Sequence, residues 1–155
     1  MKRLLAGAVA ALLLLISAPA AAHASAEQED VHPAIAQALR EIPGGVAIDS
    51  DHAVWREYDM TLSVLDDAGL ALRAVGSCPT GKICAYLGTG LTSLYASWGV
   101  CGILPAPSGQ TMRSMANART SGYAEARNGT SAVATAAAGA WTNVYSAVTS
   151  IRCVL

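Results

Sequence analysis

The sequence predicts a mainly β, disulfide-linked domain preceded by a small α+β extension and an export signal. Three observations predict it. Beyond Cys78 the chain runs in short apolar stretches broken by glycine-containing turns, the pattern of a β-sandwich or barrel. All four cysteines, Cys78, Cys84, Cys101 and Cys153, lie in that part. The first 26 residues have the layout of a removable export segment.

In that segment Lys2-Arg3 form a positive start and Leu4 to Ile16 an uncharged apolar run. Ala22-His23-Ala24 and Ala24-Ser25-Ala26 each put small residues where signal peptidase needs them, so cleavage is expected after Ala24 or Ala26. The apolar run is shorter than the ~20 residues of a stable span, and no other stretch is apolar enough to replace it. The expected location is extracellular, with no membrane span once the signal is removed. In an exported chain an even number of cysteines argues for disulfides. Three pairings can be drawn. Cys78–Cys84 with Cys101–Cys153 is preferred, because the first closes a local turn and the second ties the last strand to the middle of the domain.

Residues 27–76 form the extension. Val31 to Ile42 has a proline in its first turn and Ile35, Leu39 and Ile42 on one stripe, ended by Pro43-Gly44-Gly45, which reads as a helix. Val46 to Asp49 and Ala53 to Trp55 read as strands around Ser50-Asp51-His52, and Met60 to Val64 alternates as a half-buried strand does. Asp66-Asp67-Ala68-Gly69 reads as a turn, and Leu70 to Gly76 as a strand or linker. Such a unit buries too little to be very stable alone. Between Glu27 and Gly76 there are ten acids against three bases, net −7; from Ser77 onward five bases and one acid, net +4. Opposite fields of this kind favour docking of the extension, a possible pro-region, on the domain.

Residues 77–155 form the main domain. Pro79-Thr80-Gly81 between two cysteines reads as a tight turn. Expected strands are Lys82 to Leu87, Leu91 to Ser97, Thr111 to Ala116, Gly122 to Arg127, Ala132 to Ala136 and Val148 to Val154. The alanine-rich Ala132 to Ala140 has helical propensity, but Thr135 and Gly139 interrupt it and the strand is preferred. An internal repeat is faintly visible: Met112-Arg113-Ser114-Met115 and Val148-Thr149-Ser150-Ile151 share one pattern 36 residues apart, with Tyr86-Leu87-Gly88 and Arg127-Asn128-Gly129 as matching early turns.

Cys78-Pro79-x-Gly81-x-Ile83-Cys84-x-Tyr86-x-Gly88-Thr89-Gly90-Leu91 closely resembles the opening of the streptomycete metalloproteinase-inhibitor family, small exported βγ-crystallin-like domains. Trp98, Cys101-Gly102 and Val148-x-Ser150-Ile151-Arg152-Cys153 resemble a broader set of actinobacterial secreted proteins grouped with it. The resemblance implies two Greek-key motifs in a two-sheet sandwich and inhibition of a secreted peptidase, a metallopeptidase first, by a loop filling its cleft. The family's reactive loop lies in a short second disulfide loop, which this chain lacks, so the inhibitory loop stays unassigned. The family fold's calcium motifs place paired Asn or Asp where this chain has Gly109-Gln110 and Tyr145-Ser146. Calcium needs several hard oxygen ligands, so no metal site and no cofactor are expected.

Other chemistry is poorly supplied. No histidine follows His52, so no serine of the main domain has a base nearby in sequence, and Glu125 is that domain's sole carboxylate. No catalytic residue is assigned and the protein is read as a non-enzyme. Five unclustered bases are a weak nucleic-acid footprint. A monomer is expected. His32 and His52 read as surface histidines. Trp98, Trp141, Tyr95 and Tyr145 read first as core and second as a carbohydrate or partner surface. The alternative function is an extracellular or cell-envelope binding or antimicrobial module without inhibitory activity. A protruding, substrate-like loop favours inhibition, an exposed Trp/Tyr platform favours the module, and a convergent polar cleft favours an enzyme.

Overall fold

The computed structural model describes residues 31–65, 73–106 and 111–155. The export segment with its cleavage points after Ala24 or Ala26, the Asp66–Gly69 turn and the Gly109-Gln110 position lie outside them.

Helix α1 spans Pro33–Glu41. His32 caps it, its Nδ1 accepting the Ala34 N–H at 3.2 Å, and Pro33 opens the first turn. Ile35 and Ala38 are its buried residues. Strands β1 (Gly45–Ala47), β2 (His52–Trp55) and, after a single 3₁₀ turn, β3 (Met60–Ser63) follow as two antiparallel pairs. Gly45 lies opposite Trp55, and a Cβ there would sit 2.3 Å from the indole. That ring is seated by the glycine and by its Nε1–H donating to the Ile42 carbonyl at 2.9 Å. Among the described residues, the helix and the three strands expected before Val64 are present.

The segment does not stand apart. β3 pairs antiparallel with β7 (Tyr95–Trp98), Met60 facing Trp98 and Leu62 facing Ala96. The result is one seven-stranded sheet, β1-β2-β3-β7-β6-β9-β12, with β6 at Ile83–Tyr86, β9 at Ser114–Asn117 and β12 at Ala140–Asn143. Ile35, Ala38, Ile42, Trp55, Met60 and Leu62 share one buried cluster with Ile83, Trp98, Met115 and Ile151. Burying each such side chain contributes about 1.5–3 kcal/mol. Among the described residues the only ion pair across the boundary is Lys82 Nζ to Asp59 Oδ1 at 3.1 Å. An exposed pair of this kind is worth at most about 1 kcal/mol, so the backbone ladder and the core hold the segment, more than its acidity does.

The second sheet, β11-β10-β13-β8, comprises β8 (Gly102–Pro105), β10 (Tyr123–Asn128), β11 (Ser131–Ala137) and β13 (Ser150–Val154). Strands β6–β9 and β10–β13 form two successive runs of four. The third strand of each run lies in the sheet of the other: β8 beside β13, β12 beside β9. A ribbon of β4 (Arg73–Val75) and β5 (Cys78–Pro79) pairs separately. Val75 and Cys78 pack with Cys84, Tyr86, Tyr95 and Ala116 in a second buried cluster. The inner rows of the large sheet face α1 and the second sheet; on its outer face the ribbon covers Cys84, Tyr86, Tyr95 and Ala116.

The disulfides are Cys78–Cys84 and Cys101–Cys153, the pairing preferred from the sequence. Two boundaries move by three residues or more. The strand expected at Leu91 begins only at Tyr95, and the one expected at Thr111 begins at Ser114, because the preceding residues are held in loops. β8 and β12 were not expected. Each is a four-residue exchange strand, too short to display a period of its own.

Candidate functional site

Ser114 opens β9 on the outer face, opposite Tyr86 of β6 and Asn143 of β12. Its hydroxyl donates to the Gly88 carbonyl at 2.6 Å and accepts the Leu91 N–H at 3.0 Å, folding the β6–β7 connection down on the sheet. In the second run a hydroxyl clamp is made by Thr149, the counterpart of Arg113 in the 36-residue repeat and one place before Ser150, the counterpart of Ser114. Its Oγ1 accepts the Gly129 N–H at 2.9 Å and lies 3.3 Å from the Arg127 carbonyl. The Arg113 N–H donates to Tyr86 O and the Thr149 N–H to Arg127 O, at 2.8 and 2.7 Å. The faint repeat is therefore physical, with a hydroxyl clamp in each copy. The sequence pattern marked the two segments but aligned Ser114 with Ser150, so it gave no signal for the clamp at Thr149.

Within the first clamp, residues 87–94 form a closely pinned loop. Gly88 N–H donates to Thr92 O at 3.1 Å, Leu87 N–H to Leu94 O at 3.0 Å, and the Thr92 hydroxyl to Thr89 O at 2.8 Å. A Cβ on Gly88 would meet Thr92 Oγ1 at 2.1 Å, so only glycine permits this approach. Gly90, Leu91 and Ser93 have φ of 66°, 64° and 69°. Left-handed backbone at a leucine and a serine costs of order 1–3 kcal/mol each and persists only where the surroundings impose it.

Asn143 joins this loop to a surface. Its Oδ1 accepts the Gly90 N–H at 3.0 Å and its Nδ2 donates to Tyr145 Oη at 3.2 Å. Trp141 lies two residues earlier on the same face of β12. Trp141 is 49% exposed and Tyr145 78% exposed. β12 is an outer strand of its sheet, so the pair stands at the sheet's rim beside loop 88–91. Trp98 and Tyr95, grouped with them in the sequence, are core residues instead. Trp98 is fully buried, and Tyr95 stacks on Tyr86 at 5.2 Å, whose hydroxyl accepts from Ser77 Oγ at 2.9 Å. Asn143 gave no signal in the sequence, because its role depends on a loop 53 residues away.

The remaining chemical groups lie elsewhere. His32 is the α1 cap. His52 Nδ1 is 2.8 Å from Asp49 Oδ1 in the exposed β1–β2 turn. The Asp51 N–H, followed by His52, holds the Asp49 carboxyl below its ordinary value. No group of three or more His, Cys, Asp or Glu that could hold a metal occurs among the described residues. Tyr145-Ser146, at one of the two calcium-motif positions, follows β12 with its tyrosine turned to solvent. No described helix is long and apolar enough to cross a membrane. Leu62, Leu87, Leu94, Trp98, Met112 and Val148 help line an apolar space of about 20 Å³ against the inner face of the large sheet, about the room of one water molecule. No family model, no curated protein and no solved structure matches the chain.

Proposed function

We propose that the protein is an exported recognition module of βγ-crystallin-like double Greek-key type, binding a ligand of the extracellular or cell-envelope space. Its binding surface is Trp141, Asn143, Tyr145 and loop 88–91. The observation that carries this reading is the exposed Trp141–Tyr145 pair, braced through Asn143 against a loop that is itself pinned. Exposed aromatics offer large contact area at low entropy cost, and a preorganised loop lowers the cost of binding further. The reciprocal exchange of β8 and β12 supports the double Greek-key assignment. The two disulfides fit an oxidising compartment.

Trp55 and Trp98 are buried, so Trp141 is the indole available to report binding. Incubation of the oxidised mature chain with insoluble cell-wall glycan should deplete it from solution and shield Trp141 from acrylamide. Trp141→Ala and Tyr145→Ala should both abolish depletion while leaving the fold intact. Depletion unchanged in both variants would overturn the assignment.

Inhibition of a secreted peptidase, a metallopeptidase first, is the second reading. The rigidity of loop 87–94 favours it, together with the resemblance of Cys78 to Leu91 to the inhibitor family. Against a substrate-like fit stands the coiled backbone at Leu91 and Ser93, since a cleft-filling loop is ordinarily extended. Titration of a thermolysin-type and a subtilisin-type peptidase with the mature chain decides it: stoichiometric loss of activity establishes inhibition, and full activity at molar excess removes it.

A further inference from the structure

The outer face of the second sheet carries a charge arrangement that the first surface does not involve. Period-two alternation puts Tyr123, Glu125 and Arg127 of β10 on this face, with Arg152 directly opposite Glu125 on β13 and Ile103 opposite Arg152 on β8. Two guanidiniums thus share one carboxylate. Arg127 Nη1 and Arg152 Nη1 approach the same Glu125 Oε2 at 3.7 and 3.6 Å, too far for good hydrogen bonds. Glu125 and Arg127 side chains are only 15% and 17% exposed, and Arg127 Nε is buried without a partner among the described residues. Arg127 also donates through Nη2 to the Thr130 carbonyl. The cluster is partly desolvated, net positive and short of acceptors. Buried donors left unpaired are costly, and charge-assisted bonds in such surroundings are the strong ones.

The same face exposes apolar groups on both flanks: Ile103 is 75% and Tyr123 37% exposed. We propose that this face binds a carboxylate carried by an extended peptide with apolar neighbours. The carboxylate accepts from Arg152 and Arg127 beside Glu125, and the flanking side chains lie on Ile103 and Tyr123. Arg152 is the more accessible donor, at 42% exposure. Arg127 supplies field and direction, and Glu125 both orients the two cations and competes with the ligand.

The test is an NMR titration of the full oxidised mature chain with acetyl-Ile-Asp-Ile-amide, reading the Nε–Hε resonances of Arg127 and Arg152. Acetyl-Ile-Asn-Ile-amide is the neutral control. Saturable shifts with the acidic peptide alone are expected. Arg152→Gln should weaken binding about tenfold, the loss of one charge-assisted pair. Glu125→Gln should tighten it, because the competing carboxylate is gone. Arg40→Gln, on α1, should leave it unchanged. Equal shifts with the neutral peptide, no saturable shift, or affinity indifferent to Arg152→Gln would each overturn the proposal.

Discussion

The two four-strand runs share a plan and differ in what is built on it. Each sends its third strand to the other sheet, and each folds its first connection under a hydroxyl, Ser114 or Thr149. In the second run that connection is Gly129-Thr130 alone, between β10 and β11, and among the described residues no strand pairs with the outer edge of β11. In the first run it is the strained loop 87–94, and the matching edge, that of β7, is continued by β3, β2 and β1. The shared parts are what the sandwich needs to close. The unmatched parts, the loop and the added strands, mark where the first run departs from that minimum, and the proposed aromatic surface lies beside that loop.

The largest effect expected is at the seam. Leu62→Ala removes a fully buried side chain opposite Ala96 and should cost about 2–5 kcal/mol in urea unfolding. Ile151→Ala, in the core of the second sheet, should cost a similar amount within one cooperative transition. A loss below about 1 kcal/mol at Leu62, or a separate early transition, would mean that the added strands are an appendage after all.

The disulfides differ by loop length. Cys101–Cys153 closes a separation of 52 residues and Cys78–Cys84 one of 6. Loop-closure entropy makes the first worth about 4 kcal/mol and the second about 2. Paired serine replacements, compared by thermal unfolding, should fall in that order. The reverse order would show that the ribbon held by Cys78 contributes more than chain entropy.

The clamps come next. Ser114→Ala strands the half-buried Leu91 N–H and should cost about 1–3 kcal/mol. Thr149→Val, beside an exposed two-residue turn, should cost about 1 kcal/mol or less. Equal costs would erase the distinction drawn between the two connections.

The smallest effect is electrostatic. Asp49 titrates below its ordinary 3.8 in the fold. Its contribution is therefore complete above that value and is lost as pH falls through the lowered one. Asp49→Asn should be slightly less stable than the parent at neutral pH, and the difference should fade as pH drops below 3.8. A difference that persists unchanged in acid well below pH 3.8 would contradict that assignment.

Much of the secondary structure was legible because its signals are local. Pro33 and Pro43-Gly44 bound α1, alternation marks β3, and β11 is a strand despite its alanines because it has a neighbour in β10 to pair with. The disulfide pairing followed from the local turn at Pro79-Thr80-Gly81. The joining of β3 to β7 was not legible. Met60-Thr61-Leu62-Ser63 announces a strand but not its neighbour, and the change of charge at Gly76 suggested a boundary that backbone pairing crosses. The separation of Trp141 and Tyr145 from Trp98 and Tyr95 was hidden likewise. An aromatic residue carries no local mark of which row of a sheet it occupies until the register is known.

The most direct test of the central claim, that the added strands are part of one sheet, is native-state hydrogen exchange across β3. Both of its edges are paired, so the Met60–Ser63 amides should open only with the free energy of global unfolding, as those of β6 and β9 do. Exchange of β3 at a much lower free energy, while β6 and β9 remain protected, would contradict the claim and make residues 31–65 a separable unit.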